Sequence, residues 1–144
     1  MGRLKRVVVG IGNPGRTDDA VGLVVARRLK DHFDGVITIH NFLPEDLLNL
    51  RGYDEVVIID GVISIAEGDV KRFSVNDLPG TPSSTHFIEV DEMLKLGRAL
   101  YADFPTRISV LGIGIKNTDF AEGLSPTLKE KIDKICQEVL NLLS

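Results

Sequence analysis

The stretch Val7-Val8-Val9-Gly10-Ile11-Gly12-Asn13-Pro14-Gly15-Arg16-Thr17-Asp18-Asp19-Ala20-Val21-Gly22 limits the folds open to this chain more than any other. Its β-branched run lacks the alternation of a half-exposed strand. It reads instead as a strand covered on both faces, the habit of parallel sheets. Gly10, Gly12 and Gly15 allow a tight turn with positive φ, and Pro14 stiffens it. Thr17 is placed to cap a helix on which Val21, Val24, Val25 and Leu29 recur at helical spacing. Asp18 and Asp19 therefore fall in the first turn of a helix that leaves the carboxyl end of a central strand. In open α/β sheets, ligands bind at that edge.

The rest of the chain repeats the strand–helix rhythm. Strands are expected at Arg6 to Gly10, Val36 to His40 and Glu55 to Gly61, with an edge strand from Gly68 to Val75 and a last buried strand from Arg107 to Ile115. The first helix is expected over Thr17 to Phe33, and a short one over Pro44 to Leu50 with Pro44 near its start. A third runs from about Ile88 to Tyr101, with Val90, Met93, Leu94 and Leu100 as buried candidates. The final helix begins near Ser125-Pro126 and carries Leu128, Ile132, Ile135, Val139 and Leu142 on one stripe. Strands alternating with helices give a three-layer α/β/α domain.

A chain of 144 residues fits one domain over its whole length, 1–144. Its net charge of −4 argues against nucleic acid, which normally meets a basic face. No run reaches the length of a membrane span, and neither a signal peptide nor a myristoylation signal is visible. The single cysteine, Cys136, excludes an internal disulfide and suits a reducing cytoplasm.

Asp19, Asp60 and His86 lie at, or soon after, the carboxyl ends of expected strands. Carboxylate oxygen and imidazole nitrogen suit nickel, zinc or manganese. Three such ligands would leave positions open, whereas a structural metal is closed by four. Simpler readings compete. Asp60 followed by Gly61 is a turn pair. Asp18 is better explained as a helix-dipole or capping carboxylate than as a ligand, and Glu89 as a first-turn acid of the helix beginning there. His32 and His40 have no acidic company at ligand spacing, Arg27-Arg28-Lys30 is a solvated helix face, and Cys136 is a small core residue. A dinucleotide fingerprint fits poorly, because Asp18 and Asp19 put negative charge where a pyrophosphate would sit. Neither a Gly-x-Ser-x-Gly elbow nor a His-Glu-x-x-His helix is present.

Gly10-Ile11-Gly12-Asn13, then Asp18-Asp19 and Gly22, resembles the opening motif of the hydrogenase maturation endopeptidases. Ile58-Ile59-Asp60-Gly61 is similar to that family's second acidic strand end, Ser84-Thr85-His86 to its histidine loop, and Gly123-Leu124-Ser125-Pro126 to the segment before its last helix. The resemblance implies a phosphorylase/hydrolase-like three-layer sandwich with a mixed, mostly parallel five-stranded sheet. It implies a cytoplasmic, aspartic-type peptidase that trims the C-terminal extension of the nickel–iron hydrogenase large-subunit precursor after nickel insertion. Asp19, Asp60 and His86 correspond to its metal-contacting and catalytic positions, and Gly12 and Asn13 to the loop that meets the substrate. Nickel would arrive with the partner and be held by the partner's cysteines; other divalent metals would serve in vitro. A monomer is expected to embrace the larger subunit.

Two residues depart from the family pattern: Asp19 stands where glutamate also occurs, and Ala20 where glycine is common. Two other functions fit some of the same residues. A nickel-checking chaperone would use the same ligands without cutting. A peptidyl-tRNA hydrolase shares the Gly-x-Gly-Asn-Pro-Gly opening but needs a histidine–asparagine pair that Thr17-Asp18-Asp19-Ala20-Val21 does not supply.

Overall fold

The computed structural model describes residues 4–63, 65–73, 87–116 and 122–143, with backbone alone for 87 and 88. Five strands form one sheet: β1 (Arg6–Ile11), β2 (Gly35–Ile39), β3 (Glu55–Val62), β4 (Val70–Phe73) and β5 (Arg107–Gly114). The spatial order is β2-β1-β3-β5-β4. All neighbours are parallel except β4, which runs antiparallel to β5 at the edge. The mixed, mostly parallel sheet is as expected, and each strand lies within a residue or two of its sequence-derived position. Residues 74 and 75 of the expected edge strand lie outside the described residues.

Alternate residues of each strand feed opposite faces, because successive side chains point to opposite sides. Val8, Val57, Ile59, Leu111 and Ile113 pack beneath the helices α1 (Val21–Arg28) and α3 (Pro126–Leu143). Val7, Val9, Val56, Ile58 and Val110 pack against α2 (Phe87–Leu100) and the 3-10 segment Pro44–Leu50. The sheet is thus covered on both sides, and β3, buried throughout, is its spine.

The first helical region is not one continuous helix. A 3-10 turn covers Thr17–Ala20, α1 follows, and a second 3-10 turn covers Lys30–His32. Thr17 lies inside the first 3-10 turn rather than ahead of it, since the residue preceding that turn is Arg16. Two buried candidates also fail: Leu100 is exposed, and α3 buries Leu143 at its last turn more deeply than Leu142. Both helices end at these leucines, where half a turn decides which side chain meets the sheet.

The glycines of the opening turn have a different cause from the one expected. Positive φ among the described glycines occurs at Gly52, Gly68 and Gly123, not at Gly10, Gly12 or Gly15. Instead, a methyl group on Gly10 would strike the Gly22 carbonyl and the Ala26 side chain. One on Gly22 would strike the carbonyl oxygens of Ile11 and Ile59. These glycines let α1 lie directly on the backbones of β1 and β3, which close packing of a helix on a sheet requires. The left-handed residue is Thr17, at φ 46°.

Candidate functional site

β1 and β3 are hydrogen-bonded neighbours running in the same direction, with Gly10 level with Ile59. Asp60 is therefore one step beyond that pairing, and the chain after Ile11 leaves β1 on the same edge. The 3-10 turn bearing Asp18 and Asp19 lies against β3. The structure thus brings Asp19 and Asp60 to one carboxyl edge of the sheet, as the sequence suggested.

Their settings differ. Asp19 is partly exposed, and its Oδ2 accepts the Asn13 N–H at 3.0 Å. Its main chain is fixed twice: its N–H donates to the Arg16 carbonyl at 3.0 Å, and its carbonyl oxygen occupies the space a Cβ on Gly12 would need. A side chain at position 12 would collide with that carbonyl, so Gly12 is needed for close approach. Asn13 adds a second brace, since its Oδ1 accepts the Gly15 N–H at 2.9 Å. Asp60 has no solvent exposure, and its Oδ1 accepts the Gly61 N–H at 2.8 Å. By the alternation along β3 it belongs to the face covered by α2.

Asp18 corrects the expectation that it serves the dipole of its own helix. It is fully buried, and both carboxylate oxygens meet Ser125: Oδ1 accepts the Ser125 N–H at 2.8 Å, and Oδ2 accepts the Ser125 hydroxyl at 2.9 Å. Ser125 immediately precedes α3 and its carbonyl accepts the Lys129 N–H, so it is the cap of that helix. The acid therefore does sit at a helix N-terminus, where negative charge is favoured. The helix is α3, 107 residues away in sequence. Local spacing carries no trace of that pairing. Thr17 beside it holds a conformation that costs a non-glycine residue about 1–3 kcal/mol, a strain typical of functional turns.

His86, the third expected ligand, lies outside the described residues, as do residues 84 and 85 of its loop. Among the described residues, no three His, Cys, Asp or Glu side chains are grouped to hold a metal ion. His32 and His40 are exposed, far from any such role, and Glu89 is an exposed first-turn acid of α2. The Arg27-Arg28-Lys30 face is solvated, with Arg28 reaching Asp133 at 2.6 Å. Cys136 is buried in the core, where burial pushes its thiol pKa up. Among the described residues no helix is long and apolar enough to cross a membrane.

The fold is shared with solved structures. The [NiFe] hydrogenase maturation protease HybD from Thermococcus kodakarensis superposes with a TM-score of 0.83 at 26% identity, over 98% of this chain and all of that one. The hydrogenase maturating endopeptidase HybD from E. coli has the same fold, with a TM-score of 0.77 at 22% identity over 97% of this chain and 92% of its own. A relative from Methanocaldococcus jannaschii that carries a hydrogenase maturation protease name is 25% identical over 96% of this chain and 88% of its own length. The HycI hydrogenase maturation protease family model matches residues 41–142. That span takes in β3 with Asp60 and the Ser125 cap, and the structural likeness extends to the opening turn. This chain belongs to the hydrogenase maturation protease family.

Proposed function

We propose that the carboxyl edge of β1 and β3 is a peptidase site. It would remove the C-terminal extension of a hydrogenase large-subunit precursor that already carries nickel. The observation that carries this reading is the placement of Asp60 near the end of β3 and of Asp19 in the turn that follows its parallel neighbour β1, in a chain of this family. The nickel is part of the substrate. Carboxylate oxygens suit a borderline divalent ion whose other ligands are the partner's thiolates.

His86 completes the set in this proposal. The fourteen-residue helix α2 ends beside the amino edge, where the Asp103 carbonyl accepts the Gly52 N–H. At 1.5 Å per residue its axis is about 21 Å long. Its first residue, Phe87, therefore starts toward the carboxyl edge, on the face to which Asp60 belongs. Asp19 has exposed surface and meets the incoming cation first. Asp60 has none, so docking of the tail must open its cover.

Hydrolysis adds water across the scissile C–N bond: hydroxide joins the carbonyl carbon and a proton goes to the leaving nitrogen. In the aspartic reading, a carboxylate takes the proton from water and later returns it to the amine, with nickel as the recognition handle. In the alternative, the cation itself polarises the carbonyl or acidifies the water. Either way, alignment of one peptide bond with one water is a large share of the rate. Gly12 and Asn13 would line the approach of the tail.

The test mixes the protein with nickel-loaded precursor and weighs the products. Loss of a C-terminal peptide supports the protease, and His86→Ala should leave the precursor uncut while keeping the native circular dichroism spectrum. A stable, uncut complex with the wild-type chain would instead identify a chaperone that checks nickel.

A further inference from the structure

We propose that Asp18 is a positioning residue for this hydrolysis: by gripping the cap of α3 it sets where Asp19 stands. The inference rests on the peptidase reading of Asp19. Asp18 is fully buried with both oxygens engaged by a single residue, Ser125. The amino end of α3 favours an acid there, yet stability asks only for charge and not for one orientation of it. What the acid does supply is direction. Two hydrogen bonds to one rigid cap fix both the location and the rotation of the Asp18 side chain.

Asp19 is the next residue, so its main chain inherits that placement. The neighbouring constraints act on the same short turn. Thr17 is held at φ 46°, the Asp19 N–H is held by Arg16, and the Asp19 carbonyl is seated on Gly12. Of these contacts, the Asp18–Ser125 pair is the one that ties the turn to α3. Without it the turn keeps its internal bonds but loses its register against the sheet, and with it the reach of Asp19 toward the edge.

Three variants and two readouts test this. The readouts are the kcat and KM for precursor cleavage and the chemical shift of the Asn13 amide proton, which reports its bond to Asp19. Asp18→Ala should lower kcat by about ten- to a hundredfold, the scale of a displacement near 1 Å, with KM within about twofold. It should also move the Asn13 amide resonance. Asp18→Asn still accepts the Ser125 N–H and can donate its amide to the Ser125 hydroxyl. It should restore most of kcat and return the Asn13 resonance. Ser125→Ala keeps the N–H bond, loses only the hydroxyl, and should fall between. It serves in place of Asp18→Ala if that variant does not fold.

A folded Asp18→Ala or Ser125→Ala enzyme with wild-type kcat and an unmoved Asn13 resonance overturns the proposal. An asparagine variant as impaired as alanine also overturns it, because charge rather than geometry would then be at work. If wild-type protein does not cleave, the peptidase reading fails. The Asn13 shift still reports whether Asp18 places Asp19.

Discussion

The two edges of the sheet treat their carboxylates differently. At the amino edge, two acids meet guanidinium groups: Arg6 Nε donates to Glu55 Oε1 at 2.8 Å, and Arg51 Nε to Asp103 Oδ1 at 2.8 Å, while Asp34 and Asp54 accept the peptide N–H groups of Arg6 and Lys5. Arg6 also donates to the carbonyl of Leu143, tying the end of α3 to the sheet. At the carboxyl edge, Asp18 and Asp19 are held among the described residues by peptide N–H groups and a hydroxyl, and Gly61 donates its N–H to Asp60. A guanidinium neutralises the acid it holds. An amide orients the acid and leaves its charge for a later arrival. The guanidinium pairs fasten the fold at the amino edge; at the carboxyl edge the amide of Asn13 orients the partly exposed Asp19.

The largest expected effect would come from Asp60→Asn. Removing a group proposed to handle the reacting atoms should cut precursor processing by about a thousandfold. The native circular dichroism spectrum should be kept, because asparagine has the same shape and retains an oxygen to accept the Gly61 N–H. A falling midpoint with normal cleavage would make Asp60 another fastening acid and erase the contrast. Gly12→Ala comes next. Its methyl group would push the Asp19 carbonyl away, lowering processing by about a hundredfold and stability by about 1–3 kcal/mol in urea unfolding.

Glu55→Gln should do the reverse of Asp60→Asn. Glu55 is buried against a partly exposed Arg6, so its loss should cost about 2 kcal/mol by the same unfolding measurement. Cleavage should be unchanged. The smallest effect is expected at Asp103. The Arg51 guanidinium beside it holds its carboxyl below the usual carboxylate range, and both groups are exposed. A depressed folded pKa gives stability that is present above the ordinary carboxylate range and lost as pH falls through the depressed value. Carbon NMR titration should show the Asp103 carboxyl moving back up in Arg51→Ala, with almost no change in the thermal midpoint.

Fold and site were not equally legible in the sequence. The buried runs of β1, β3 and β5 announce themselves because both faces are covered, so their apolar character is continuous. The stripe on α3 is visible for the opposite reason, one covered face at helical spacing. The shared edge of Asp19 and Asp60 followed from strand ends alone. Asp18 did not, since its partner Ser125 becomes a neighbour only when α3 returns to the opening turn. The glycines were misread for a related reason. A flexible turn and a close helix–sheet contact ask for the same residue, and only the position of α1 on β1 and β3 separates them.

Cys136 is the chain's sole thiol, set in α3 within the apolar layer and held protonated more firmly by that burial. For a protein proposed to examine a metal seated on another molecule's sulfur, a surface thiolate would be a competitor for the cargo. On that proposal, its confinement to the interior leaves the ion no second sulfur to move to, and the metal would stay with the molecule that brought it.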